Sequence, residues 1–202
     1  MIHRLADIVT DFFVRNDVIS KDDREVYQYG NEIIISSAID IAILFTFGLI
    51  FNNLLYLAPF WIVFFLLRAF GGGYHAQSYF KCKMVFILNV LAVVGLLYNV
   101  ETFYNVYSML LLILFSQTVV FATAPIENIY KPLDEQDIKR NRIRCRMCSL
   151  ATGILVLITY CFNIKFSVSL LLASVSVSVA MIIEYLRKEI KCNEFVLYVA
   201  FL

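Results

Sequence analysis

At 202 residues the chain is sized for one domain; its net charge of +1 argues neither for nor against a polyanionic partner, and no nucleic-acid partner is expected. Hydrophobic residues make up 61% of it and charged residues 16%, with a mean hydropathy of +0.78. Soluble domains carry roughly a quarter charged residues, so these values exclude an ordinary soluble globule and predict an all-α, polytopic membrane protein. The 18 Phe and 12 Tyr suit a surface that faces lipid and is anchored at its interfaces.

Residues 1–32 read as a cytoplasmic N-terminal segment. Arg4, Asp7, Asp11, Arg15 and Asp17 break up any apolar run of the kind a secretory signal needs. Ile2, Leu5, Ile8, Val9, Phe12 and Phe13 recur at helical spacing opposite Arg4, Asp7 and Asp11, which predicts an amphipathic helix lying in the interface or packed on the bundle. His3 reads as a plain terminal residue. Ser20 with Asp23 resembles a capping box and predicts a second helix from about Lys21.

Six apolar spans follow, near 33–51, 54–67, 84–100, 104–123, 147–162 and 166–186. Most can cross a hydrocarbon core of roughly 30 Å. The second is short and needs Ala69 and Phe70 to complete its crossing. Asn52-Asn53 and Asn163–Lys165 leave room only for tight connections, so the chain reads as three helical hairpins. Every Lys and Arg except Lys165 then falls on one side of the membrane. The positive-inside rule makes that side cytoplasmic and places both termini there. A single membrane-embedded domain over 1–202 is expected, with a candidate catalytic connection at 68–83 and a basic cytoplasmic loop at 125–146.

The connection 68–83 is the most informative stretch. It holds His75, the only histidine after His3, and Cys82, one of five cysteines. A thiol near an imidazole and basic groups suits nucleophilic chemistry. On one straight helix the two would lie about 10 Å apart along the axis, so a dyad requires the chain to bend between or around them. Gly71-Gly72-Gly73 supplies permissive backbone and would let a peptide come close. The residues alone equally allow a flexible glycine turn with a polar His75 and an apolar Cys82. They also allow a Cys3His zinc site drawing on Cys145 and Cys148, or a small transporter. Asp40, mid-span beside Ser36 and Ser37, has either a functional or an internal hydrogen-bonding role.

The run Arg68-x-x-x-Gly72-Gly73-Tyr74-His75-Ala76, followed by Cys82, resembles the accessory gene regulator B (AgrB) family of membrane cysteine endopeptidases in bacterial quorum sensing. Tyr29-Gly30-x-Glu32, Ala124-Pro125-Ile126-Glu127-Asn128, Lys131-Pro132-Leu133 and the basic run to Arg146 extend the likeness over most of the chain. Gly71 departs slightly from that pattern.

The resemblance implies a bacterial cell-membrane protein with a cytoplasmic active site, working without a cofactor or metal. Cys82 is the implied nucleophile and His75 the general base. The enzyme would remove the C-terminal tail of a small precursor, hold the remainder as a thioester and release it by closure of a thiolactone or lactone ring. The implied partners are that precursor, with an amphipathic leader and an acidic tail, membrane lipid, and a second copy in a homodimer. Arg68 is a candidate clamp for a peptide carboxylate. Gln77 is a candidate oxyanion donor, and Glu32 can orient His75 or hold the precursor. Arg140, Arg142, Arg144 and Arg146 are candidates for attracting the acidic tail.

Overall fold

The computed structural model describes residues 2–72, 79–100, 105–126 and 134–200, with Tyr79 and everything after residue 190 described in backbone only. Seven helices account for nearly all of this: α1 Ile2–Arg15, α2 Arg24–Ile50, α3 Leu54–Gly71, α4 Tyr79–Tyr98, α5 Val106–Thr123, α6 Glu135–Tyr160 and α7 Ile164–Ala200. The six from α2 onward are long and apolar enough to cross a membrane, which makes this a multi-pass membrane protein.

Helix ends follow from local chemistry. Asp17 and Asn52 adopt positive φ, a conformation Asp and Asn tolerate better than most residues. Behind them, Val18 N–H donates to Phe13 O and Asn53 N–H to Gly48 O, closing paired turns that satisfy the last carbonyls of α1 and α2. Asn105 and Ser108 cap the start of α5 reciprocally. Ser20 and Asp23 do bond to each other, yet α2 begins at Arg24, so the predicted start near Lys21 is three residues early.

Two sequence boundaries require larger correction. The basic run expected in a loop is helical, because α6 starts at Glu135 and carries Lys139 to Arg146 on its first turns. Asp134 caps it, and Glu135 and Asp137 face the positive end of its dipole. Likewise α3 runs on to Gly71 and α4 begins at Tyr79, which puts Arg68 and Cys82 on helices rather than in the connection.

α7 is the hub and packs on α3, α5, α6 and, less extensively, α4. Its buried Ser167 donates to Val156 O, and Ser174 to the Ser116 hydroxyl. Ser169 reaches the Tyr56 carbonyl. Small side chains let the backbones approach and supply their own hydrogen bonds where no water does. The small-residue face Ser169, Ala173, Ser176, Ala180 is therefore used within the subunit, with Ser169 and Ala173 fully buried.

At one end of the bundle Tyr98 Oη donates to Phe51 O across α4 and α2. At the other end, the last turns of α3 and α5 meet α6 and α7 around Gly71, Thr123, Cys145 and Met181. Among the described residues, this second end carries Arg68, the run Lys139 to Arg146 and Arg187, whereas Lys165 lies at the other. α1 lies against the extension of α2 there, with Ala6 and Thr10 buried and Leu5, Ile8 and Phe12 exposed.

Candidate active site at the basic end of the bundle

Gly71 and Gly72 are pinned. Ile126 N–H donates to Gly71 O at 2.9 Å, and Gly72 pairs with Ile126 in an isolated parallel bridge. Gly72 has φ +74, and a Cβ there would sit 2.3 Å from the Ile126 carbonyl oxygen, so only glycine fits without moving backbone. A Cβ on Gly71 would meet Met181 Cε at 2.2 Å and Cys145 Sγ at 2.8 Å. Gly71 thus lets the end of α3 seat directly on α6 and α7, a packing reason for glycine at this position. Two segments far apart in sequence, 68–72 and 124–126, are joined here.

Cys82 occupies the first turn of α4 and is half-buried. It shares a helix face with Phe86 and Asn89 at i+4 and i+7. Phe86 packs on Phe64 of α3 with ring centroids 5.8 Å apart, and the Arg68 guanidinium lies 5.7 Å over the Phe64 ring. Since α3 runs toward the basic end and α4 away from it, Arg68 and Cys82 both sit about one turn beyond this aromatic pair. His75, Gly73 and Gln77 fall outside the described residues, as do Tyr74, Glu127, Asn128 and Lys131–Leu133.

The residue that the sequence reading missed is Lys83. Its ammonium donates to Ser36 O at 2.8 Å, Ser36 Oγ at 2.7 Å and Asp40 Oδ1 at 2.6 Å. Counted only as a topology signal, it is instead the partner of the mid-span Asp40. The signal was half present, because a carboxylate inside a span needs a cation. Which helix supplies that cation is a packing fact.

The other candidates are distributed around the site. Glu32 accepts a 2.5 Å hydrogen bond from His3 Nδ1, so His3 is a structural partner rather than a plain terminal residue. Arg24 ties α2 to Asp7 and Asp11 of α1. The four arginines do not form one patch. Arg140 pairs with Asp137 at 2.5 Å, and Arg144 lies over the Phe70 ring. Arg146 donates to Phe121 O at 2.8 Å and stacks 5.0 Å above that ring. Arg142 is exposed, with no partner among the described residues. The buried Cys145 thiol points at Leu67 O at 3.9 Å. Cys148 lines an apolar groove between α3 and α6 with Ile62, Leu66 and Leu155. No group of three or more His, Cys, Asp or Glu able to hold a metal gathers among the described residues.

Six helices long and apolar enough to cross a membrane define a multi-pass membrane protein, with a half-buried cysteine opening the helix that follows a glycine clamp. The chain belongs to the accessory gene regulator B (AgrB) family, whose sequence profile matches residues 6–198. It is 25% identical over 191 residues to a protein of Clostridium perfringens strain SM101 (type A) named only as AgrB-like, covering 90% of this chain and 87% of that one. A second AgrB-like protein, from C. perfringens strain 13 (type A), is 24% identical over 146 residues, 69% of this chain and 68% of its own. No solved structure matches the chain.

Proposed function

We propose that this protein is a membrane-embedded cysteine endopeptidase of quorum sensing that trims and cyclises a small precursor peptide at the cytoplasmic face of a bacterial cell membrane. The observation that carries the reading is the placement of Cys82. It stands half-buried in the first turn of a helix that begins only after the Gly71-Gly72 clamp on Ile126, so the stretch with His75 runs between two fixed ends.

In this reading His75 takes the proton of the Cys82 thiol, and the thiolate attacks the scissile carbonyl. The tetrahedral intermediate collapses to a Cys82 thioester, and the departing amine of the tail leaves with the proton from His75. An internal thiol or hydroxyl of the bound peptide then loses its proton to His75 and attacks the thioester. The ring closes and the Cys82 thiol is regenerated. Thioester exchange is near balance, whereas closing a thiolactone from a hydrolysed acid is strongly uphill. The site must therefore keep water from the intermediate, and a thiol set among helices at the membrane surface favours that. In this reading Arg68, level with Cys82, would hold a peptide carboxylate.

The test is co-expression with a short neighbouring reading frame that encodes an amphipathic leader, a central Cys or Ser and an acidic tail. A hydroxylamine-sensitive adduct on Cys82 is expected, as is loss of cleavage in Cys82→Ala and His75→Ala. Cys148→Ser should stay active. Cleavage that survives Cys82→Ala, or an inactive Cys148→Ser with zinc in the purified protein, would replace this reading with a carrier or a metal enzyme.

A further inference from the structure

Lysines at membrane boundaries ordinarily run their stems along apolar surface and keep the ammonium in water. Lys83 does the opposite. Its side chain is only 12% exposed. All three of its N–H donors are used, two on Ser36 and one on Asp40. Asp40 lies about 16 Å along α2 from Phe51, where α2 meets the far end of α4. The pair is therefore set inside the span rather than at its rim. A carboxylate and an ammonium are both costly there, and each is tolerable only while the other holds it.

What the pair fastens is equally specific. α4 contacts α2 and α7 modestly, and its buried stripe starts at Phe86 and continues through Val90, Val93 and Leu97, beyond the turn that carries Cys82. Together with the Phe86–Phe64 rings and the hydrogen bond from Ser176 to Asn89, Lys83 fastens α4 near Cys82. Cys82 is the adjacent residue. A rotation of α4 by a single residue, about 100°, would swing the thiol off the face it shares with Phe86 and carry the ammonium away from Asp40.

We infer that Lys83, Asp40 and Ser36 form a positioning device that fixes the rotation and depth of the first turn of α4 and thereby the Cys82 thiol. The inference rests on the peptidase reading of Cys82. Lys83 is a positioning residue and touches no reacting atom. Asp40 supplies its charge partner from α2, and Ser36 its remaining acceptors.

The experiment uses the purified full chain in liposomes and two readouts. The first is the alkylation rate of Cys82 by N-ethylmaleimide, followed by peptide mapping, with buried Cys145 and exposed Cys161 as controls of the fold. The second is cleavage of the co-expressed precursor at limiting and saturating amounts. Lys83→Met should slow cleavage at saturation about tenfold or more, with little change in KM, since misplacing a reacting group costs rate rather than affinity. Cys82 alkylation should shift severalfold while both control cysteines stay as in the wild type. Ser36→Ala should move both readouts the same way by less, which keeps the test usable if Lys83→Met disturbs folding.

The decisive variant is Lys83→Met with Asp40→Asn, which removes both charges and so the cost of an orphaned carboxylate. If positioning is the role, the double variant stays as slow as Lys83→Met. A return to wild-type rates in the double variant overturns the inference, because the pair would then only neutralise itself. Unchanged Cys82 alkylation in Lys83→Met overturns it too. Cleavage that persists in Cys82→Ala would instead sink the peptidase reading, while the alkylation arm, which needs no precursor, still tests the tether.

Discussion

α2 and α7 are equally apolar over their best membrane-crossing stretches, yet 61% of that stretch is buried inside the protein in α7 and only 11% in α2. Lipid tails are as apolar as leucine, so hydropathy sets whether a helix crosses and leaves open what it packs on. α7 wins the centre through small and hydroxylated residues: Ser167, Ser169, Ala173, Ser174 and Ser178 are all buried. α2 faces lipid and is held by charge, through Asp40–Lys83 at one level and His3–Glu32 and Arg24–Asp11 at another. One helix is fixed by close packing and the other by a few polar lashings. The two should respond to mutation in opposite ways.

The largest effect should come from truncating the packed helix. Leu171 on α7 is 1% exposed and Ile34 on α2 is 66% exposed. With lipid as the reference, burial itself gives little, but the cavity left by Leu171→Ala still costs about 2–3 kcal/mol. Ile34→Ala leaves no cavity, because lipid fills the space, and should be near neutral. Unfolding in mixed detergent micelles measures both; equal losses would break the comparison.

The rim of the packed region gives the next effect. Gly72→Ala forces a Cβ against the Ile126 carbonyl at positive φ and should cost about 2 kcal/mol together with much of the processing activity. Gly71→Ala meets only the flexible end of Met181 and the Cys145 sulfur. It should be milder, and Met181→Ala should partly rescue it. The reverse order would mean that the bridge to Ile126 is dispensable.

How much of this was legible beforehand divides along the same line. The six crossings followed from hydropathy and spacing, and the alternation of basic residues reinforced their number. The candidate site was read from Gly72, Gly73, His75 and Cys82 together, although Cys82 stands on α4 rather than in the connection before it. The helical state of Lys139–Arg146 was missed because a run dense in charge has no apolar face to reveal its period, although Asp134 and Asp137 gave a usable start signal. The Lys83–Asp40 pair and the seat of Gly71 on Met181 could not be read, since both depend on which helices are neighbours.

A smaller effect tests the basic run. Removing all four arginines should weaken capture of an acidic-tailed peptide by about tenfold, from charges worth individually on the order of 0.2–1 kcal/mol. The structure divides that sum. Arg142→Gln should lower capture about two- to threefold without touching the fold, since each exposed charge contributes only a few tenths. Arg146→Gln should instead loosen α5 from α6, because it removes the bond to Phe121 O and the stacking above that ring. Precursor binding at low and moderate salt separates them: the Arg142 effect should fade with salt and the Arg146 effect should not.

The smallest effect lies in the polar lashing of α1 to α2. The hydrogen bond to Glu32, with Asp7 adding to it, raises the pKa of His3 above its usual 6.5. A proton bound more tightly in the docked state than in the free one favours docking while it is present. The contribution is therefore complete below pH 6.5 and fades as pH rises through the raised value of the docked helix. Arg24 also holds Asp7 and Asp11, so α1 should loosen rather than leave. Trypsin cleavage at Arg15, on the last turn of α1, reports this directly. Protection should fall modestly on going from about pH 6 to pH 8.5, across the titration range of a histidine whose pKa is raised. His3→Gln should flatten the profile. Asp40→Asn, deep in the span, should leave it unchanged, since the two lashings lie at different levels of α2. A profile that persists in His3→Gln would assign the pH response to another group and detach His3 from the docking of α1.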